Sequence, residues 1–321
     1  QGTRDYLPII EQSKSKAYYN VDEIVNFILD DNKRQQFNNG NKMNFFPTRR
    51  FRLPVDSSTV ISNGTVTNDR ANRIVDALEW QVKGNYIMKS EMVILDILAN
   101  NNWERPIYFA NTMPRESYFG LEKYMQHEGF AYRLVPYETR NDRNRFGYFG
   151  EVHTDIMFDN MMNKFEFGNM NDPEIFLDEN NLRFVTNLRL NFSRLASALY
   201  AAGDNERAEQ VLDRCVELTV NNNTPHDITL IQVCELYFQI GKNEKGLEVA
   251  KLLGDNYAQH IDYFSGLSPD FTKSVSTEIQ QGMAVLQQLT AYADQFNVPE
   301  LKEYAKPLFD DAQTKAQMLL Q

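Results

Sequence analysis

The sequence predicts an α/β N-terminal domain, partly truncated, followed by an all-α helical repeat domain. Three observations predict it. Trp103–Pro136 reads as strand, helix, strand within about 30 residues, the size of a βαβ crossover, which favours parallel strands. From Leu182 onward the apolar spacing changes to successive helix pairs. Within those pairs, Leu195, Leu199, Gly203, Ala208 and Leu212 recur 38 positions later as Val233, Tyr237, Gly241, Gly246 and Ala250.

In chain order, the first domain is assigned to residues 1–170. Gln1–Tyr19 is a polar, extended lead-in broken at Pro8. Asn20 with Glu23 fits a capping box ahead of a helix whose apolar stripe is Val21, Ile24, Ile28 and Leu29. A polar, Asn-rich loop follows. Arg50–Val55 alternates as a strand, Asn63-Gly64 marks a turn, and Ile74–Val82 is a second strand with Gly84 as its turn. The helix from Ser90 is apolar almost all round through Met92, Val93, Ile94, Leu95, Ile97 and Leu98, so burial on more than one side is expected. Ile107–Phe109 is then a strand, Asn111–Glu116 a turn, and Ser117 the N-cap of a helix carrying Tyr118, Leu121, Tyr124 and Met125. Phe130–Val135 closes the unit as a strand. Glu151–Phe167 contains a helix, and the Asn/Asp-rich segment Gly168–Asn180 is the connector to residues 171–321.

In the second domain, a small residue sits in each inter-helix turn and another where the second helix crosses the first. Close helix approach requires that. YAAGDNERAEQVLDRCVEL and YFQIGKNEKGLEVAKLL resemble tetratricopeptide repeats. A third pair, near Ser276–Phe296 and Pro299–Leu320, lacks the turn glycine and is expected to cap the array.

The 321 residues exceed the size at which one core keeps growing, so two domains are expected. The net charge of −11 disfavours nucleic acid as a partner. Arg49–Arg52 and Arg140–Arg145 are read as solvated edges or as partners of internal carboxylates. No stretch approaches the ~20 apolar residues of a membrane span. Cys215 and Cys234 are too few for a disulfide scaffold, lack metal-site spacing and read as small buried hydrophobes. No cofactor is called for.

Several blocks carry a resemblance to a family. RPIYFA and GLEKYMQHEGFAYRLVP, with GTRDYLPI, KSEMVILDILANNNW, DNMMNKFEFG and LDENNLRF, resemble the C-terminal soluble region of a family of multi-pass membrane proteins from Bacteroidetes. That family is of unknown function and is related to protein O-mannosyltransferases. The resemblance implies that this chain, beginning at Gln1, is excised from a longer protein. It implies a position on the periplasmic face of the inner membrane, and glycosyl transfer in a membrane-embedded half that is not in this sequence. No catalytic residue is carried over.

Read for chemistry, the chain has no Gly-rich phosphate loop, G-x-S-x-G elbow or H-E-x-x-H. Glu151, His153 and Asp155 are weak candidates for a metal or acid/base site, since on a strand they share a face. Asp159, Asn169, Asp172 and Asp178 offer oxygen ligands but are read as helix caps and turns, Asp178 opening the first repeat helix. Asn111, Thr112 and Arg115 follow a strand end and are candidate ligand contacts.

The expected function is a non-catalytic extracytoplasmic accessory region of a membrane glycosyltransferase-like protein. Its repeats would bind a protein or peptide, and its α/β domain a glycan or glycosylation acceptor. The alternatives are a free-standing hydrolase or transferase built on Glu151, His153 and Asp155, and an inert scaffold.

Overall fold

The computed structural model describes residues 5–12, 17–36, 40, 42–140, 149–268, 271 and 273–319. The chain forms two compact units, Gln1–His153 and Thr154–Gln321. The first is α/β and the second all-helical, as the sequence pattern predicts.

The first unit runs β1 (Tyr6–Pro8), β2 (Tyr19–Asn20), α1 (Val21–Leu29), β3 (Gln35–Gln36), β4 (Lys42–Met43), β5 (Arg50–Pro54), α2 (Ser57–Ser62), β6 (Ala77–Gln81), β7 (Tyr86–Met88) and α3 (Lys89–Asn101). It continues through β8 (Tyr108–Ala110), β9 (Met125–His127), β10 (Ala131–Leu134) and β11 (Glu151–Val152). The described strands form two larger sheets, in the orders β11-β9-β10-β8 and β2-β5-β6, and two ribbons, β1-β7 and β3-β4.

One aromatic core joins these elements. Phe51 on β5 stacks on Trp80 of β6 at 5.5 Å, and Phe119 packs on Phe51 at 5.6 Å. Leu95 and Leu98 bring α3 into the same cluster, with Val21 and Ile24 from α1. Burying each such side chain stabilises by roughly 1.5–3 kcal/mol.

The expected βαβ crossover is not what forms. β8 and β10 pair antiparallel, Tyr132 opposite Phe109, and β9 and β10 pair antiparallel as a hairpin. The expected helix after Ser117 is instead two single 3₁₀ turns, Arg115–Tyr118 and Glu122–Tyr124, followed by β9. Phe119 and Gly120 lie between them with φ of 58° and 79°, which a continuous helix cannot contain. Tyr118, Leu121, Tyr124 and Met125 are still buried, so their spacing reports a core rather than a helix. Gly129, at φ 135°, closes the hairpin.

Two smaller expectations also change. Asn20 makes no side-chain cap; its amide donates to Glu23 Oε1 at 3.3 Å. α3 is buried on one side only, Val93 and Ile97 being 53% and 48% exposed. Other expectations hold. Arg49 and Arg50 meet Glu11, and Arg52 lies 3.6 Å from Glu79. Most of Arg140–Arg145 lies outside the described residues.

The second unit contains α4 (Thr154–Asp159), α5 (Glu179–Ala201), α6 (Asn205–Leu218), α7 (Ile231–Gln239), α8 (Asn243–Ser265), α9 (Ser276–Gln295) and α10 (Pro299–Leu319). Residues 154–170, grouped with the first domain from sequence, are tied into this unit. Asp155 pairs with Arg207 at 2.7 Å, Arg207 lies over Phe158, and Phe167 packs on Phe192. Asp178 caps α5, accepting from Asn181 N–H at 2.9 Å.

The helix pairs turn identically. Asp204 N–H donates to Leu199 O at 2.9 Å and Lys242 N–H to Tyr237 O at 2.8 Å, with Gly203 and Gly241 at φ 81° and 76°. In the third pair Val298 N–H donates to Ala293 O at 3.0 Å, and Asn297 takes the left-handed position at φ 53°. The third turn therefore has the repeat geometry without the glycine, because Asn tolerates that region. Small residues also sit at the crossings. A Cβ on Gly246 would lie 2.7 Å from the Phe238 ring, and one on Gly282 3.1 Å from Ile261.

A buried arginine holds the long α6–α7 connection. Arg189, 1% exposed, donates to Thr224 O at 2.5 Å, Pro225 O at 3.0 Å and Thr219 Oγ1 at 3.3 Å. His226 is buried beside it and donates from Nε2 to Thr219 O at 3.2 Å. Burial, with the Arg189 charge, lowers its pKa to about 4. Cys215 and Cys234 are buried free thiols, and burial pushes the Cys215 thiol up to about 12.

Gly246→Ala is expected to lower stability by about 1–3 kcal/mol through overpacking on Phe238, measured by urea unfolding. Asn297→Gly should be tolerated, and Asn297→Val should destabilise by about 1–2 kcal/mol. His226 contributes stability that is fully present above pH 6.5 and is lost as pH falls toward about 4. His226→Gln should flatten that acid limb of the helical unit's unfolding midpoint.

Candidate functional site

Two places in the first unit gather functional groups. The first is a polar network across the β11-β9-β10-β8 sheet. The short 3₁₀ segment Asn68–Arg73 projects Arg70 and Arg73 toward β11. Arg73 donates to both Glu151 oxygens at 2.9 and 2.7 Å, Arg140 N–H donates to Oε2 at 2.9 Å, and Arg70 Nη1 lies 3.3 Å away. The Arg73 guanidinium also lies over the Tyr137 ring at 4.5 Å. Arg70 and the Tyr137 hydroxyl both donate to Gln126 Oε1. Gln126 Nε2 donates to Glu128 Oε1 at 2.6 Å, and Tyr108 donates to Glu128 Oε2 at 2.8 Å.

Charge and burial explain the titration there. Burial works against the Glu151 carboxylate, but the Arg73 and Arg140 hydrogen bonds and the two guanidinium charges outweigh it and hold its pKa below the ordinary value. Burial beside Glu128 pushes the Tyr108 hydroxyl up to about 12.

The sequence-derived trio does not converge. Glu151 faces Arg73. His153, 6% exposed, sits with Nε2 at 3.4 Å from Thr67 Oγ1. Asp155 starts α4, in the second unit, and pairs with Arg207. The i, i+2 spacing would share a face only on a continuous strand, and β11 ends at Val152. Among the described residues no group of three His, Cys, Asp or Glu side chains could hold a metal ion.

The second place is a cleft of about 880 Å³ between the β6–β7 turn and the Arg115–Lys123 segment. Lys83, Tyr86, Met88 and Glu91 line one side; Arg115, Glu116, Glu122 and Lys123 line the other. Phe119 and Phe149 also line it, each held by the aromatic core, Phe149 stacked on Tyr132 at 4.6 Å. Two glycines set its shape. A Cβ on Gly120 would lie 2.9 Å from Gln81 O, and one on Gly150 2.4 Å from Met125 O. Arg115, 65% exposed at its side chain, is 3.8 Å from Glu122.

Of the three candidate contacts from sequence, Arg115 lines the cleft. Asn111 and Thr112 are not among the described residues lining it, and Asn111 N–H bonds Phe130 O. The strand-end rule that pointed to them applies to parallel sheets, and β8 is an antiparallel edge strand. The rest of the lining was missed. Its available signal was Gly120, whose close approach to Gln81 O brings two distant segments together.

Comparison with known proteins bears on this unit alone. Residues 1–156 match the family model described as TMEM260-associated domain 2. The match spans the whole first unit and stops at the start of α4. No curated protein and no solved structure matches the chain.

Glu151→Gln is expected to destabilise the first unit by about 2 kcal/mol at neutral pH, by removing charge-assisted hydrogen bonds. The Glu151 pKa is depressed on folding. Its contribution is therefore present above the ordinary value near 4.5 and is lost as pH falls through the depressed one. Urea midpoints of the two proteins should converge in acid.

Proposed function

We propose that this chain is a non-catalytic accessory region of a membrane glycosyltransferase-like protein, on the extracytoplasmic side. In this reading the α/β unit contacts a ligand through the Arg115 cleft and the helical repeats bind a protein or peptide. The observation that carries it is the family match, which falls on one compact unit with its own core and belongs to a domain associated with a membrane protein.

Further support comes from how the polar groups are used. Glu151 is committed to Arg73, Arg140 and Arg70, and Asp155 to Arg207, which is how ion pairs that hold structure are arranged. Repeated helix pairs with small crossing residues are a scaffold for extended binding surfaces. All of the acidic surplus lies in residues 154–321, which favours a basic partner for the repeats. Among the described residues no helix is long and apolar enough to cross a membrane. Membrane attachment in this reading belongs to another segment of the parent protein.

Fractionation of native cells with an antibody to this domain tests the reading. A species much larger than 37.4 kDa in the membrane fraction is the expected result. A free species of 37.4 kDa outside that fraction would overturn it.

A further inference from the structure

We propose that the cleft between the β6–β7 turn and the Arg115–Lys123 segment binds an uncharged oligosaccharide. The inference deepens the accessory reading by giving the chemistry of the ligand on the α/β unit.

Size comes first. At about 880 Å³ the cleft falls within the ~300–1,000 Å³ usual for small-ligand sites. Charge comes second. Among the described residues the lining carries three cations, Lys83, Arg115 and Lys123, against three anions, Glu91, Glu116 and Glu122. Such a wall has no net sign to attract a phosphate, a nucleotide or a polycation. Several of these charges are already answered: Lys123 by Glu138 at 2.7 Å, Arg115 by Glu122 at 3.8 Å, and Glu91 by the Met88 N–H at 2.6 Å. The lining offers both hydrogen-bond donors and acceptors. A sugar hydroxyl donates one hydrogen bond and accepts others, so it can use both, whereas a simple ion cannot.

The third observation is the exposed apolar rim. Tyr86 is 54% exposed and Met88 39% exposed, both on the cleft edge. Tyr6 packs against Tyr86 with ring centroids 5.4 Å apart. A flat aromatic ring beside polar groups suits the C–H face of a pyranose, which is apolar on its face and hydroxylated at its edge. A lipid tail would require an apolar lining, and six of the described residues around this cleft are charged. The floor is rigid: Phe119 is locked against Phe51 and Phe149 against Tyr132, so little ordering accompanies binding.

The test is ligand-observed NMR on the full chain with three probe sets: short neutral hexose oligosaccharides, the same sugars phosphorylated, and short peptides. Neutral sugars are expected to bind, and Tyr86→Ala to weaken them about tenfold while the urea midpoint stays put. The proposal is overturned if no neutral sugar binds, if only the phosphorylated sugars or the peptides bind, or if Tyr86→Ala binds neutral sugars as well as the wild type. Fractionation separates the two readings. A membrane-bound parent whose cleft takes no sugar rejects this inference alone, and a sugar-binding chain found free of membranes rejects the accessory reading alone.

Discussion

A helix that reverses direction within three residues must place one residue in the left-handed region, and the helical unit meets that constraint with a single device. Gly203, Gly241 and Asn297 each take the position, and in each turn the next residue's N–H reaches back to a carbonyl five residues earlier. This pattern ends one helix and starts the next without leaving backbone groups unpaired. It also fixes the angle at which the second helix returns, so the crossing residue must be small. Gly246 under Phe238 follows from it, and Gly282 under Ile261 meets the same need where α9 crosses α8.

Where the connection is longer, side chains replace the tight turn. Between α6 and α7 the chain leaves helical geometry over residues 219–227, and Arg189 from the neighbouring α5 takes up the carbonyls of Thr224 and Pro225 and the Thr219 hydroxyl. Burial disfavours the charged form of His226, and a second cation beside Arg189 adds to that cost, so its pKa is lowered. Burial of an arginine is tolerated because every hydrogen bond it makes is one the loop needs.

The first unit solves a different problem. Its strands are short, and no sheet is large enough to bury two faces. Aromatic side chains from β5, β6 and the Tyr118–Tyr124 segment supply the core, and the Arg73–Glu151 pairing ties the Asn68–Arg73 turn to the far edge strand. The same pairing removes Glu151 from the list of groups free for chemistry. The cleft arises where Gly120 and Gly150 let backbone approach backbone closely.

Much of this was legible in the residues. The two-part architecture, the period of the helix pairs, the turn glycines, the Asp178 cap and the burial of both cysteines all rest on local spacing and local chemistry. So does the burial of Tyr118, Leu121, Tyr124 and Met125. What spacing alone could not decide was whether those four lie on a helix or on turns and a strand, since a short apolar run serves either. Left-handed Phe119 and Gly120 decide it, and they are held by contacts with β5 and β6 far away in sequence. Strand direction is in part non-local: Gly129 closes the β9–β10 hairpin, but β8 pairs antiparallel with β10 across the intervening residues 111–130. The scatter of Glu151, His153 and Asp155 to separate partners, and the meeting of Tyr86 with Arg115 across one cleft, are tertiary for the same reason. The sequence by itself determined many of the buried apolar positions and the paired helices of the second unit, because those depend on neighbours along the chain. Only the tertiary structure decided which polar groups face one another, because that depends on segments brought together across the fold.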